Sequence, residues 1–480
     1  MGVLSHLEPK EVFHYFEEIC QIPHPSYKEE KISDYCMKFA KDHGLTAYQD
    51  EQKNVIMIKE ATKGYEDKET VVLQGHLDMV CQKTPDYEID FLNDPLELEI
   101  DGDYVQAKGT TLGGDDGIAV AYGLALLASN TIPHPRLEVI LTTGEEVGLI
   151  GATGIDVSMC KGRRMINLDS EDEGVFLAGC AGGASVAVSL PVQRAEMEGQ
   201  LCEITVTGLI GGHSGTEINK GRANSNVLLG ITLDHLAQQC GISLVSFAGG
   251  DKDNAIPRET KAEILIQPDE KQAFYAALEE YNQTIKAAFG QSDPGIKVIV
   301  EEKAEGTYKA VTQEGFASIL QYFKEMPNGV QAMSKDIEDL VETSLNMGTA
   351  LLKDEEMCMG YAVRSSVDTE KEKLIAKMRE ILQKWNGTMK VSGQYPGWQY
   401  NPDSKLREDM IEVFERLYGR KPVVEAIHAG VECGLFAEKM EGLDCVSIGP
   451  DMDDIHTTEE RMSISSVKRV WEFLLEVLKK

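Results

Sequence analysis

The chain has 480 residues, 42% hydrophobic and 26% charged, which predicts a water-soluble protein of more than one domain. Its 47 basic and 80 acidic side chains leave a net charge of −33, which argues against nucleic acid or anionic membranes as partners. Ten dispersed cysteines without a C-x-x-C pair predict reduced thiols in a cytosol rather than a disulfide scaffold. MGVLSHLEPKEVF has no apolar core and no stretch is long and apolar enough to span a bilayer, so neither a secretory leader nor a membrane span is expected, and a cytoplasmic location is.

Ser5-x-x-Glu8 with Pro9 predicts a helix start, running to about Cys20. A second helix is expected from Lys28 to His43, closed by Gly44, with strands near 45–49 and 54–59. Val71-Val72-Leu73 reads as a buried strand ended by Gln74-Gly75. His76 and Asp78 follow it, and in extended backbone i and i+2 share a side. A hairpin is expected around Gly102.

Gly113-Gly114 then make a sharp turn, and Asp115 and Asp116 stand at the entrance of an apolar helix, Ile118 to about Ala128. An aspartate there can cap the helix or look outward at a ligand. The 137–143 strand is followed at once by Gly144-Glu145-Glu146, and the 164–168 strand by Asp169. Acidic residues and a histidine thus recur at the ends of buried strands, as on the ligand-binding edge of a β/α sheet.

From about 184 the texture changes. Strands near 184–190, 202–209, 242–248, 261–267, 297–303, 344–352 and 356–364 alternate with helices near 225–239, 269–288, 314–325 and 368–386. Helix, strand, strand, helix, strand occurs twice, which predicts two similar halves. After about 397 the β/α texture returns: a helix at 404–418, a strand at 422–427, a helix at 431–439, the 444–450 strand, His456, and a closing helix from Ser463. The expected fold is therefore α/β. A catalytic domain with a mixed, mostly parallel sheet flanked by helices (1–183 and 397–480) carries an inserted α+β lid (184–396).

These residue types suit a two-metal hydrolase, which needs a bridging carboxylate, terminal ligands for each ion and a carboxylate base. The groups available are His76, Asp115 or Asp116, Glu145 or Glu146, Asp169 and His456, with Asp78 placed to hydrogen-bond His76. No G-x-S-x-G, Walker loop, G-x-G-x-x-G or H-E-x-x-H occurs.

H-L-D at 76–78, G-G-D-D-G at 113–117, G-E-E at 144–146, N-L-D-S-E-D at 167–172 and His456 resemble the di-zinc aminoacylase, carboxypeptidase and dipeptidase superfamily. H-L-D-M-V with N-L-D-S-E is similar to its aminoacyl-histidine dipeptidase branch. The resemblance covers essentially the whole chain. It implies two zinc ions per chain, which cobalt or manganese can replace. His76 and Asp169 would hold one ion, Glu146 and His456 the other, and Asp115 would bridge them, although the family pattern has Asp-Asn where this chain has Asp115-Asp116. Glu145 would be the base that activates the bridging water, and Asp78 would orient His76. In the inserted segment His213 of G-G-H-S-G resembles an oxyanion-stabilising histidine, which in dimeric relatives reaches the partner's site. Asn254 and Arg364 resemble residues that grip the substrate's C-terminal carboxylate. Glu432, in H-A-G-V-E-C-G, is a candidate for holding the substrate's amine.

The expected activity is hydrolysis of unblocked dipeptides, including Xaa-His dipeptides such as carnosine. The expected assembly is a homodimer through the lid. An N-acyl amino acid hydrolase of the same superfamily and a non-catalytic binding protein on that fold are the alternatives.

Overall fold

The computed structural model describes residues 2–480. Two compact units divide the chain. Unit 1 comprises the residues up to Gly179, with Tyr400–Ala426 and Val431–Lys480; unit 2 comprises Cys180–Gln399 and Ile427–Gly430. The expected borders at 183/184 and 396/397 lie within four residues of these, while 427–430, expected with the catalytic domain, groups with unit 2. Among the described residues no helix is long and apolar enough to cross a membrane.

Unit 1 is built on an eight-stranded sheet. Its order is Thr46–Gln49, Val55–Lys59, Leu137–Thr142, Val71–His76, Arg164–Asn167, Asp444–Ser447, Val175–Cys180, Val423–Ile427. The central strands 137–142, 71–76, 164–167 and 444–447 run parallel. The 71–76 and 137–142 strands are buried along their whole length, so their apolar residues fall on both faces rather than alternating. All parallel strands end on one edge, and that edge collects the acidic residues.

The helix Gly114–Ala128 is buried on nearly every side and packs on this sheet. Two glycines make its close approach possible. A Cβ on Gly123 would stand 3.0 Å from Val139, and one on Gly75 would collide with Asp116 and Ala119. The helix opens irregularly: Gly113 has φ 69°, and Asp115 and Asp116 have non-helical backbone angles. The aspartates expected at the helix entrance are therefore in a turn that aims each separately.

Unit 2 holds a nine-stranded antiparallel sheet. One half repeats helix Ser225–Gln239, strands Ile242–Gly249 and Thr260–Ile266, helix Lys271–Phe289 and strand Lys297–Val311. The other repeats helix Gln313–Glu325, strands Val341–Leu352 and Glu356–Ser365, helix Asp368–Gln383 and strand Thr388–Tyr395. Each half takes in one earlier strand, Arg194–Thr207 or Gly182–Pro191, between its last strand and its second. The halves meet where Ala248 and Gly249 pair with Leu351 and Ala350. Apolar side chains from both halves form one core under the helices.

Candidate metal centre

Three parallel strands and two loops of unit 1 bring the predicted acids and histidines together. His76 ends the 71–76 strand. Its Nδ1 donates to the backbone carbonyl of Asp78 at 2.9 Å, so in the neutral ring the lone pair sits on Nε2. That nitrogen faces carboxylate oxygens: Asp115 Oδ1 at 3.0 Å and Asp169 Oδ1 at 3.7 Å. Asp115 also reaches the second histidine, with Oδ2 at 3.0 Å from His456 Nε2. Glu146 Oε1 stands 2.8 Å from the same nitrogen. Asp115 thus lies between the two histidines. Asp116 instead turns under the strand, where its Oδ2 accepts the His76 N–H at 3.1 Å and its Oδ1 is buried without a partner.

Three overlapping donor groups can each gather around one point: His76, Asp116 and Asp169; His76, Glu145 and Glu146; and Asp115, Glu146 and His456. Their electrostatics call for a cation. Burial drives the Glu145 carboxyl well above its ordinary range; His76 opposes this, and the carboxylates of Asp169, Glu432 and Glu146 reinforce it. Burial, then Asp169, does the same to Asp116. Asp169 is pushed up to about 6, chiefly by burial. Asp115 is the exception: despite burial, His456 and His76 hold it well below the usual carboxylate range. Among the described residues the only ion-pair partners of Asp115, Glu146 and Asp169 are histidines. Imidazole and carboxylate are the donors that zinc and related divalent ions accept. Against the cost of its burial, the same carboxylates raise the pKa of the His76 imidazole, and they raise that of His456; a divalent ion can take the proton's place between nitrogen and carboxylate, so the residues present fit a divalent metal.

Asp78 meets His76 through both its carbonyl and its carboxylate. Its carbonyl, rather than its carboxylate, makes the short contact to His76; the carboxylate lies 3.5 Å from Nδ1. That carboxylate accepts the N–H groups of Glu145 at 3.0 Å and Glu146 at 3.3 Å, and the Ser26 hydroxyl at 2.8 Å. Asp78 therefore ties the G-E-E loop to the His76 strand. Glu29 supports the same loop by accepting the Gly144 N–H at 3.0 Å.

Another supporting acid escaped the sequence reading. Glu460, 3% exposed, accepts the N–H groups of Leu112, Gly113 and Gly114 at 2.7, 3.2 and 2.9 Å. It holds the turn that aims Asp115. Glu460 is separated from that turn by more than 340 residues, and no local pattern marks it.

The predicted residues His213, Asn254 and Arg364 lie in unit 2. Arg364 is buried and donates through Nη1 to the Tyr395 hydroxyl at 3.0 Å, with Nη2 at 3.5 Å from His213 Nε2. His213 is half-buried, and burial and then Arg364 lower its pKa, so its ring is neutral at pH 7. His428 joins them, its Nε2 2.7 Å from the Ser344 hydroxyl. Asn254 is exposed, and its carbonyl accepts the Ser214 N–H beside His213 at 2.9 Å. Glu432 is in unit 1, wholly buried beneath the strand ends.

A parallel sheet whose edge gathers carboxylates and imidazoles around cation-sized spaces defines a metal-dependent hydrolase. The chain belongs to peptidase family M20/M25/M40, whose profile matches residues 72–480. It is accordingly a peptide-bond hydrolase of a family that binds divalent metal. Over its full length it is 36% identical to the cytosol non-specific dipeptidase of Escherichia coli (strain K12), covering 99% of that protein. It superposes on the crystal structure of aminoacylhistidine dipeptidase from Vibrio alginolyticus with a TM-score of 0.95 and 37% identity, covering 99% of this chain and 97% of that one. The aminopeptidase PepT of Bacillus cereus shares the fold at 16% identity, with a TM-score of 0.58 and 98% of each chain covered.

Proposed function

We propose that this chain is a cytoplasmic dipeptidase that uses two zinc ions to hydrolyse unblocked dipeptides, Xaa-His dipeptides such as carnosine among them. The observation that carries the metal reading is Asp115 standing 3.0 Å from each of two histidine nitrogens. The dipeptide reading is supported by the full-length likeness to a non-specific dipeptidase and an aminoacylhistidine dipeptidase.

In this reading His76 and Asp169 would hold one ion and Glu146 and His456 the other, with Asp115 within reach of both. The chemistry a bound divalent metal would supply there is polarisation of the scissile carbonyl and a water acidic enough to attack at neutral pH. Glu145 takes the proton from the attacking water on its carboxylate and passes it to the leaving amine nitrogen. Asp78 keeps the Glu145–Glu146 backbone fixed during both transfers. His213, neutral, donates a hydrogen bond to the developing oxyanion. Arg364 and Asn254 take the substrate's terminal carboxylate, Arg364 being held in place by Tyr395. His213 and Arg364 approach each other within unit 2. By resemblance to dimeric relatives the inserted segment is proposed to pair two chains, and sedimentation of the purified protein measures that mass.

The test is a substrate panel on zinc-loaded protein: Gly-His, carnosine and other dipeptides beside an N-acetylated amino acid. Cleavage of the free dipeptides with the acetylated compound left intact is expected. The opposite pattern assigns an N-acyl amino acid hydrolase instead.

A further inference from the structure

Beneath the proposed ligands lies a row of buried polar side chains that the reaction does not use. Gln74, Thr142 and Asn167 stand at the C-terminal ends of three adjacent parallel strands. Gln74 lies opposite Asn167 in register, and Thr142 opposite His76. Asn167 donates through Nδ2 to Gln74 Oε1 at 2.6 Å. Gln74 donates through Nε2 to Glu432 Oε2 at 2.5 Å, and Thr142 donates to the same oxygen at 2.6 Å. None of the four is more than 1% exposed. Glu432 comes from a different part of the chain, the first turn of the helix Glu432–Lys439.

Polar groups in the interior of an apolar parallel sheet cost stability unless paired, and apolar side chains fill such positions more simply. The placement here supplies a reason for them. Gln74 precedes His76 by two residues, Asn167 precedes Asp169 by two, and Thr142 precedes Glu145 by three. Lateral hydrogen bonds between the strand ends therefore set the spacing of the three side chains that do the chemistry. The backbone ladder reaches this edge as well, through Leu77 N–H on the Thr142 carbonyl at 2.7 Å and Leu168 N–H on the Gln74 carbonyl at 2.9 Å, and the side-chain row adds a second set of cross-links beside it. Glu432 accepts from two of the three strands with a single oxygen and closes the row.

We propose that Glu432 is a positioning residue which, with Gln74, Thr142 and Asn167, clamps three strand ends so that His76, Asp169 and Glu145 keep metal-binding spacing. The inference rests on the metal centre proposed above. It also gives Glu432 a task other than holding the substrate's amine, since its bonded oxygen is engaged by the strands.

The experiment measures zinc affinity of the purified full-length chain by competition with a chromophoric chelator, alongside kcat and KM on Gly-His. Supporting groups behind metal ligands are worth about 10–100-fold in affinity or activity. Glu432→Ala is expected to lose zinc affinity in that range, with kcat falling and KM on Gly-His little changed. Glu432→Gln keeps an acceptor oxygen for Gln74 and Thr142 and is expected to restore affinity. Gln74→Met removes both side-chain links without opening a cavity and is expected to weaken zinc as Glu432→Ala does, and it decides the matter if Glu432→Ala does not fold. Wild-type zinc affinity in Gln74→Met, or a raised KM with unchanged affinity in Glu432→Gln, overturns the clamp while leaving the metal centre standing. Absence of zinc binding by the wild-type chain overturns both.

Discussion

Replacing Glu145 by glutamine removes one proton acceptor and almost nothing else. The amide has the same shape, so the burial of its neighbours is unchanged, and the residue's backbone N–H still donates to Asp78 Oδ1 at 3.0 Å. Glu146, His456 and Asp115 keep their mutual contacts. A positioned general base contributes about 10²–10⁴-fold to rate. Glu145 lies where burial raises its pKa, so bulk water is a poor substitute for it, and the loss belongs in the upper part of that range. A drop of about 10³–10⁴ in kcat corresponds to about 4–5.5 kcal/mol of transition-state stabilisation. Steady-state kinetics on Gly-His give kcat and KM, and elemental analysis of the same sample gives zinc per chain. The expected result is the full loss in kcat with KM and zinc content at wild-type values. A kcat close to wild type removes Glu145 from the base role; an equal loss accompanied by missing zinc makes it a ligand instead.

Arg364→Ala is expected to raise KM about 10–100-fold for dipeptides with a free terminal carboxylate, the worth of a charged hydrogen-bond donor, and to leave C-terminally amidated substrates unaffected. Equal losses on both would contradict the assignment. Glu460→Ala strands the Leu112, Gly113 and Gly114 N–H groups, at about 1–3 kcal/mol for each buried donor left unpaired. Urea unfolding should show unit 1 weakened by at least about 3 kcal/mol, and an unchanged midpoint refutes the supporting role. His428 gives a pH dependence. Burial, and then Arg364, push its imidazole down to about 3 from an ordinary 6.5. Below 6.5 the unfolded chain therefore binds a proton that the folded chain refuses. Its contribution is complete above that pH and shrinks as pH falls towards 3, by up to about 1.4 kcal/mol per pH unit. His428→Gln should flatten the acid-side slope of stability measured by denaturant titration; an unaltered slope counts against it.

Much of unit 1 was legible because its signals are local. Val71 to Leu73 and Val139 to Leu141 are apolar runs followed within a few residues by His76 and by Glu145-Glu146, and a strand end is where side chains leave the core. The repeat in unit 2 was legible for the same reason, through two helix-strand-strand-helix-strand runs. What the sequence hid is long-range. Glu432 and Gln74 meet across 358 positions, and Glu460 serves a turn it does not resemble. Strands were also shortened where they leave the core. Arg194–Thr207 and Lys297–Val311 are expected only near 202–209 and 297–303, because their paired ends from Glu196 to Gly199 and Gly306 to Lys309 mix exposed polar residues with glycines and isolated apolar ones. Backbone hydrogen bonds hold those ends together, with only Met197 and Tyr308 set against the small cluster of Leu201, Leu265 and Ala310. Likewise 427–430 joins unit 2 through Ala181, whose N–H faces the carbonyls of Ile427 and Ala429, and through His428 on Ser344; the stretch itself reads as a loop. The different directions of Asp115 and Asp116 arise from the irregular start of one helix, which no local sequence pattern marks.

Equilibrium dialysis against zinc, after chelator treatment of the purified chain, counts the ions directly. The wild type should take up about two per chain and regain hydrolysis with zinc, cobalt or manganese, while Asp115→Ala should retain less than about one. A wild-type chain that binds less than about one ion, or an Asp115→Ala variant that binds as many as the wild type, contradicts the shared metal centre.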